Sequence, residues 1–258
     1  ETRQARELGK TLEDLKFEAT DLGFLTTELD QGFRGLTTSF GRFATLNKDT
    51  QKELSVSAAS FERLGVKTDV LGATIQQLNV GFGQTPKQAI AAADDIRKFS
   101  QAVGMGAEGL TKFNQNIDLL VSFGGERGTQ VFKDLAIEAQ RAGVEISALR
   151  DIGKTFDTFE GAMKAAGKLN FILKGPYLNS MKMLRADDAE RIEMLKGALQ
   201  ASGRTFESLG RRGQEALAAT LGKGVAEVQR IFRDEDAATT EANKRNIMER
   251  ARAMGGLD

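Results

Sequence analysis

A seven-residue repeat of apolar side chains runs without a slip from residue 8 to residue 43. Its members alternate at spacings of four and three, which is typical of the a and d positions of a coiled coil. At a rise of about 1.5 Å per residue, the pattern predicts an amphipathic helix roughly 55 Å long that must pack on another helix. The repeat consists of Leu8, Leu12, Leu15, Ala19, Leu22, Thr26, Leu29, Phe33, Leu36, Phe40 and Phe43.

We predict that the helix that covers this stripe comes from a second copy of the chain. Replacing Leu22 and Leu29 with Lys is then expected to abolish oligomerisation and to leave the rest of the protein folded. The alternative is a long helix that packs on its own domain, and five glycines in the segment weaken the coiled-coil prediction because each costs up to about 1 kcal/mol in a helix interior. The predicted oligomer interface, called the heptad seam below, comprises Leu8, Leu12, Leu15, Leu22, Leu29, Phe33, Leu36, Phe40 and Phe43.

Glycines punctuate the chain after this segment at a regular interval. Gly65, Gly104 and Gly143 are each 39 residues apart, and each is followed by a Val or Met and, six residues on, by a Leu. Two helices in about 40 residues is the period of a helical-repeat array. An irregular helical domain with similar helix lengths remains the alternative. Helix starts are predicted at the capping-box pattern Thr50–Glu53, at Thr85-Pro86, at Thr129, at Asp157 and at Asp187-Asp188.

These patterns predict an all-α protein, in which a long heptad helix precedes glycine-punctuated helical pairs. No sustained alternation of apolar and polar residues predicts a strand. The loop around Pro176 marks a boundary, and Ile192, Leu195 and Leu199 mark the buried stripe that follows it. The predicted organisation is a heptad helix at 1–50, a repeat-like domain at 51–175, a C-terminal helical subdomain at 176–233 and a charged tail or linker at 234–258.

The composition argues against catalysis and cofactor binding. The chain has no His and no Cys, which removes the most common general base and the usual ligands of zinc and of iron–sulfur clusters. Its 36 basic side chains balance 36 acidic ones, which disfavours a surface dedicated to nucleic acid. We therefore predict a protein that is not an enzyme, holds no cofactor or metal, and binds no specific nucleic acid.

Several short motifs resemble chemical sites without the context that those sites need. Residues 104–109 match the GxGxxG dinucleotide fingerprint, but the segment before them reads as a helix rather than a strand. Residues 152–155 resemble the end of a P-loop, but Ala148 occupies the position of its first glycine. The acidic pairs at 94–95, 187–188 and 234–236 read as helix-end electrostatics, and the basic cluster of Arg204, Arg211 and Arg212 lacks aromatic residues for stacking.

No targeting or membrane segment is predicted. The chain begins at Glu1 with no basic region and apolar stretch behind it, so we read it as part of a longer or processed chain without a signal peptide. The longest charge-free window, Val70–Pro86, is too short and too polar to span a bilayer. A soluble protein is the expectation.

The heptad helix, the helical pairs and the absence of Cys, His and Trp resemble the tail tape measure proteins of bacteriophages. Ala142–Leu149, Ile152–Gly161 and Gly175–Asn179 carry much of the likeness, and the last is similar to segments of virion structural proteins of tailed phages. The resemblance extends over most of the chain in helix pattern and composition, and helical virion proteins as a group share these motifs.

The resemblance implies a structural role in a phage tail. Members of that family form trimers or hexamers, contact other tail or baseplate proteins, set the tail length and leave the tube when DNA is ejected. It also implies localisation in the virion, after a soluble period in the host cytoplasm. Two other functions remain open: a helical-repeat module or adaptor that binds proteins, and a cell-wall hydrolase that uses two carboxylates.

Overall fold

The computed structural model describes residues 3–117, 121–233, 245–247, 249–250 and 253, and its regular structure in those ranges is entirely helical. The prediction of an all-α chain is therefore confirmed for the described residues. The helices are α1 (Arg3–Phe17), α2 (Thr26–Ser39), α3 (Lys48–Arg63), α4 (Thr68–Phe82), α5 (Pro86–Val103), α6 (Gly109–Gln115), α7 (Gly125–Ala142), α8 (Ile146–Lys154), α9 (Phe159–Leu173), α10 (Ser180–Arg185), α11 (Asp188–Ala201), α12 (Gly210–Thr220) and α13 (Val225–Ile231).

Several predicted helix boundaries are confirmed, whereas the starts predicted at Thr50, Thr129 and Asp157 are displaced by one to four residues. Gly104 ends α5 in the left-handed conformation, as its spacing predicts, and Thr85 caps the start of α5 with Pro86 in the first turn. The α3 start is predicted three residues too late, because Asn47 caps it by accepting from the Thr50 amide. The helix expected from Thr129 begins instead at Gly125.

The predicted continuous heptad helix is wrong, because the chain turns between α1 and α2. α1 ends at Phe17, and Gly23 takes a left-handed φ of 71° before α2 begins at Thr26. A left-handed residue cannot continue a right-handed helix, and glycine takes that conformation without steric cost. The repeat identifies the apolar face of each helix but does not require one straight rod.

The chain divides into two compact units, residues 1–128 with 247–258 and residues 129–246. The boundary between the units lies in the first turn of α7. Most of the predicted tail at 234–258 lies outside the described residues.

Unit 1 is built around α2. This helix packs on α1, α3 and α4, and α4 in turn packs on α5 and α6. α2 crosses α3 closely at Gly32, where an added Cβ would lie 2.8 Å from the Ser55 carbonyl oxygen. The core of the unit contains Leu15, Leu29, Phe33, Leu36, Phe40, Phe43, Leu54, Leu71, Ile75, Leu78, Ile96, Phe99 and Phe113.

In unit 2, α9 packs on α10 and α12, and α11 packs on α8. The predicted stripe of α11 is buried, as expected. Asp187 caps α11 and exchanges hydrogen bonds with Glu190 in a capping box. The core contains Phe132, Leu135, Leu149, Ile152, Phe156, Leu169, Met183, Ile192, Leu195, Phe206, Leu217, Val228 and Ile231.

Candidate functional site

The heptad seam is largely covered by its own chain. Six of its nine side chains are buried, Leu8 and Leu12 are half-buried, and Leu22 is 41% exposed. The covering helices belong to unit 1, which corresponds to the alternative of a helix packed on its own domain. The buried members are Leu15, Leu29, Phe33, Leu36, Phe40 and Phe43.

A charged contact fixes the turn that interrupts the seam. The Arg63 guanidinium donates to both carboxylate oxygens of Glu28 and to the Gly23 carbonyl oxygen, and it lies 4.2 Å from the centre of the Phe24 ring. Glu28 also accepts from the Leu25 amide at the start of α2. These hydrogen bonds, above all those from Arg63, hold the pKa of Glu28 at about 2. The turn is therefore a defined structural feature of unit 1.

The glycines of the two nucleotide-like motifs lie at helix ends and in close helix contacts. Gly104 closes α5, and an added Cβ at Gly109 would lie 1.8 Å from the Ser100 hydroxyl, so Gly109 serves helix packing. In the P-loop-like motif, Gly153 and Lys154 form the last turn of α8. A phosphate loop instead requires amides at a helix N-terminus.

Asp94, Asp187 and Asp188 each take part in an ion pair or a helix cap. Asp94 pairs with Arg97 and Lys98 on its own helix. Asp187 caps α11, whereas Asp188 is buried against Arg191. The third acidic cluster, at 234–236, lies outside the described residues.

Unit 2 contains an ionic cluster, buried except for Asp157, that the sequence analysis missed. Arg191 donates to the Gly153 carbonyl oxygen of α8, to the Met183 carbonyl oxygen of α10 and to both Asp157 and Asp188. One side chain thus joins three helices and the turn before α9. We call Arg191, Asp157 and Asp188 the Arg191 cluster. Its sequence signal is a charged residue beside Ile192 in the buried stripe.

The Asp188 carboxylate is held in an unfavourable environment. It is almost fully buried, its Oδ2 atom has no hydrogen-bond partner, and its Oδ1 atom accepts from Arg191 at 3.1 Å. Burial raises the pKa of Asp188 to about 6 even though Arg191 opposes that change. The buried carboxyl is therefore expected to affect the stability of unit 2.

A shallow groove is bordered on one side by the loop Gly175–Asn179 and α10, and on the other side by the exposed face of α11. Its two parts have volumes of about 570 and 390 Å³ and share Lys182 and Met194. Lys182 and Arg185 line it with Glu190 and Glu193, so its charge is mixed. This loop groove carries the Gly175–Asn179 segment on which the phage resemblance partly rests.

The loop beside the groove is held by Asn170 of α9. The Asn170 side chain donates to the Leu178 carbonyl oxygen and accepts from the Leu178 amide, each at 2.8 Å. The Tyr177 ring lies against Gly175, where an added Cβ would be 2.6 Å from Tyr177 Cε2. The groove wall is therefore preformed.

The outer face of α9 exposes large apolar side chains. Phe171 is 86%, Phe159 is 59% and Met163 is 51% exposed. Exposed apolar side chains grouped on one element commonly mark interaction surfaces. The sequence analysis missed this face because the pattern of α9 does not show which of its many apolar side chains are buried.

The basic cluster lies in the first turn of α12 and in the loop before it. Arg211 pairs with Glu215 on the exposed side of α12, and Arg204 lies on the loop before it. No group of three or more acidic residues able to hold a metal ion is found among the described residues. None of the helices in the described ranges is long and apolar enough to cross a membrane.

Comparison with protein-family models, with curated proteins and with solved structures finds no match to this chain.

Proposed function

We propose that the chain is a non-enzymatic structural protein of a bacteriophage tail, similar to a tape measure protein, that acts through protein–protein contacts. The observation that carries this proposal is the resemblance of Ala142–Leu149, Ile152–Gly161 and Gly175–Asn179 to virion segments. Support comes from the all-helical architecture and from the balance of 36 basic and 36 acidic side chains, which would let DNA pass without being held.

The proposal includes a homo-oligomer, contacts with other tail or baseplate proteins, and release when DNA is ejected. Oligomerisation through the whole heptad seam would require six side chains to leave the core of unit 1. Because that exposure would be costly, we place assembly contacts on surfaces that are already exposed. Compact units are more consistent with a domain located at one end of the tail than with an extended rod whose length sets the tail length.

The test is immuno-electron microscopy of purified particles made by the phage that encodes the chain. We expect an antibody against residues 129–233 to label tails of full particles, with less label after ejection has been triggered. An antibody against the major capsid protein is the matched control, since its labelling does not change on ejection. Absence of the chain from purified particles overturns the proposal.

The second candidate is a protein-binding module or adaptor, and the loop groove favours it. Its wall is preformed by Asn170, and it presents Met194 beside charges of both signs. Such an adaptor would occur in a defined complex outside the particle. Finding the chain in a cellular complex and not in particles would select this function.

A further inference from the structure

The exposed face of α9 is symmetric about one glycine. Gly167 lies at its centre, Met163 and Phe171 lie four residues before and after it, and Glu160 and Lys174 lie seven before and after it. With 3.6 residues per turn, Glu160, Met163 and Phe171 lie within about 40° of Gly167 around the helix axis, and Lys174 is the left-handed residue that directly follows the last turn of α9. Residues at equal distances before and after Gly167 are thus both large and apolar (Met163 and Phe171) or opposite in charge (Glu160 and Lys174). We call these five residues the α9 face.

Among the described residues, no close contact of Gly167 requires a glycine at this position. It lies in the middle of a 15-residue helix, and an added Cβ would meet nothing within 4 Å. Glycine at such a site costs about 1 kcal/mol relative to Ala. A glycine on an exposed helix face lets a second backbone approach closely, which would compensate that cost.

The charges at the two ends complement each other in an antiparallel arrangement. Glu160 and Lys174 are both exposed, and neither has an ion pair within the described residues. If two α9 helices cross antiparallel at Gly167, Glu160 of each copy lies opposite Lys174 of the other. Met163 then lies opposite Phe171. A parallel arrangement would instead place like charges together.

We propose that α9 pairs with α9 of a second copy of the chain, antiparallel, about a two-fold axis at Gly167. An isologous contact requires a self-complementary surface, and the α9 face meets that requirement. The inference deepens the proposed function by naming the partner of one exposed surface. It concerns the free protein in solution, so its failure leaves the proposed tail location standing.

The size of the face indicates the strength of the contact. At roughly 200 Å² for a whole aromatic or Met side chain, Met163 and Phe171 of this face expose on the order of 270 Å² per copy. A stable interface buries about 800 Å² on each partner, so the pair is expected to dissociate on dilution. We expect a dimer that depends on protein concentration.

The test is sedimentation equilibrium of the full chain over a hundredfold range of concentration. Wild type should pass from monomer to dimer, and Gly167→Gln should weaken the dimer at least tenfold because its side chain occupies the crossing point. Gly9→Gln is the matched control, since Gly9 also lies within a helix with nothing near an added Cβ. This control should dimerise like wild type.

Charge reversal tests the antiparallel geometry itself. Glu160→Lys and Lys174→Glu should each weaken the dimer, because each places two pairs of like charges together. The double variant should restore it. Circular dichroism of every variant confirms that it is folded.

Three results would overturn the inference. These are a wild type that stays monomeric throughout the range, a Gly167→Gln variant that dimerises as wild type does, and a double charge variant no stronger than the single ones. If the wild type is monomeric, the α9 face is expected to bind a different protein instead of a second copy.

Discussion

At the scale of single residues, the side chain of Arg191 connects α8, α10 and α11 of unit 2. Its buried guanidinium satisfies carbonyl groups of Gly153 and Met183 and faces Asp188. Arg191→Ala leaves that carboxylate buried without a counter-ion, and we expect a loss of about 3–5 kcal/mol in the free energy of unfolding. Urea denaturation followed by circular dichroism measures it.

Arg211→Ala is the matched control for that variant. Arg211 forms an exposed ion pair with Glu215 on the same unit, so its loss should change the free energy of unfolding by less than about 0.5 kcal/mol. Equal effects of the two substitutions would contradict the role given to the Arg191 cluster.

Asp188 should make the stability of the protein depend on pH. Its pKa is about 6 in the folded state and about 3.8 in the unfolded chain, so between these values the folded protein holds a proton that the unfolded chain has released. Stability from this group is therefore greatest below about pH 4 and falls as the pH rises towards 6. Asp157 and Asp187 add to the shift, and Arg191 opposes it.

Asp188→Asn removes this dependence and keeps an acceptor for Arg191. A shift of about two pKa units corresponds to roughly 3 kcal/mol of unfolding free energy. Between pH 4 and pH 7 the wild type loses this contribution and the variant does not, so the unfolding free energy of the variant should rise relative to wild type by about that amount. Denaturation curves across this range measure the difference. A difference that does not change with pH would show that the buried carboxyl does not titrate there.

At the scale of elements, close helix approaches depend on particular glycines. Gly32→Ala would place a Cβ 2.8 Å from the Ser55 carbonyl oxygen and 3.3 Å from the Ala59 amide, so α2 and α3 must move apart. We expect a loss of about 1–3 kcal/mol in unfolding free energy. Gly9→Ala, with open space around it, should instead gain up to about 1 kcal/mol. Thermal unfolding of both variants decides whether packing or helix propensity controls each site.

The loop beside the groove is a second element with a defined support. Asn170→Ala removes both hydrogen bonds to Leu178 and should speed hydrogen exchange of the Leu178 amide at least tenfold. Asn170→Asp keeps an acceptor for that amide but removes the donor to the carbonyl, so it should protect the amide better than Ala does. Equal exchange in wild type and both variants would mean that Asn170 does not hold the loop.

Local signals in the sequence predicted the helix ends but not the packing of the helices. Gly104 and Thr85 act within one turn of chain, so their roles follow from backbone chemistry alone. The heptad repeat correctly marks Leu29 and Phe33 as apolar contacts, but periodicity does not distinguish a second copy from the same chain as the partner. The Arg191 cluster escaped prediction because its partners lie up to 38 residues away.

At the scale of the whole molecule, the burial of Leu29 changes what a lysine there would do. Leu29 lies in the core of unit 1, so Leu29→Lys should unfold that unit rather than only separate copies. Leu22 is 41% exposed, and Leu22→Lys should leave the protein folded. Circular dichroism of the single variants separates these effects. A folded Leu29→Lys protein would restore the intermolecular role of the seam.

The division into two compact units predicts two unfolding transitions, and the chain carries a natural reporter for one of them. It has one Tyr and no Trp, and Tyr177 lies in unit 2, so its fluorescence follows unit 2 whereas circular dichroism follows both units. Leu29→Ala should lower the stability of unit 1 by about 2–5 kcal/mol and leave the tyrosine transition in place. Arg191→Ala should move the tyrosine transition towards lower urea. If Leu29→Ala moves both signals together, the units unfold as one cooperative body, because a core substitution in one unit then destabilises the other.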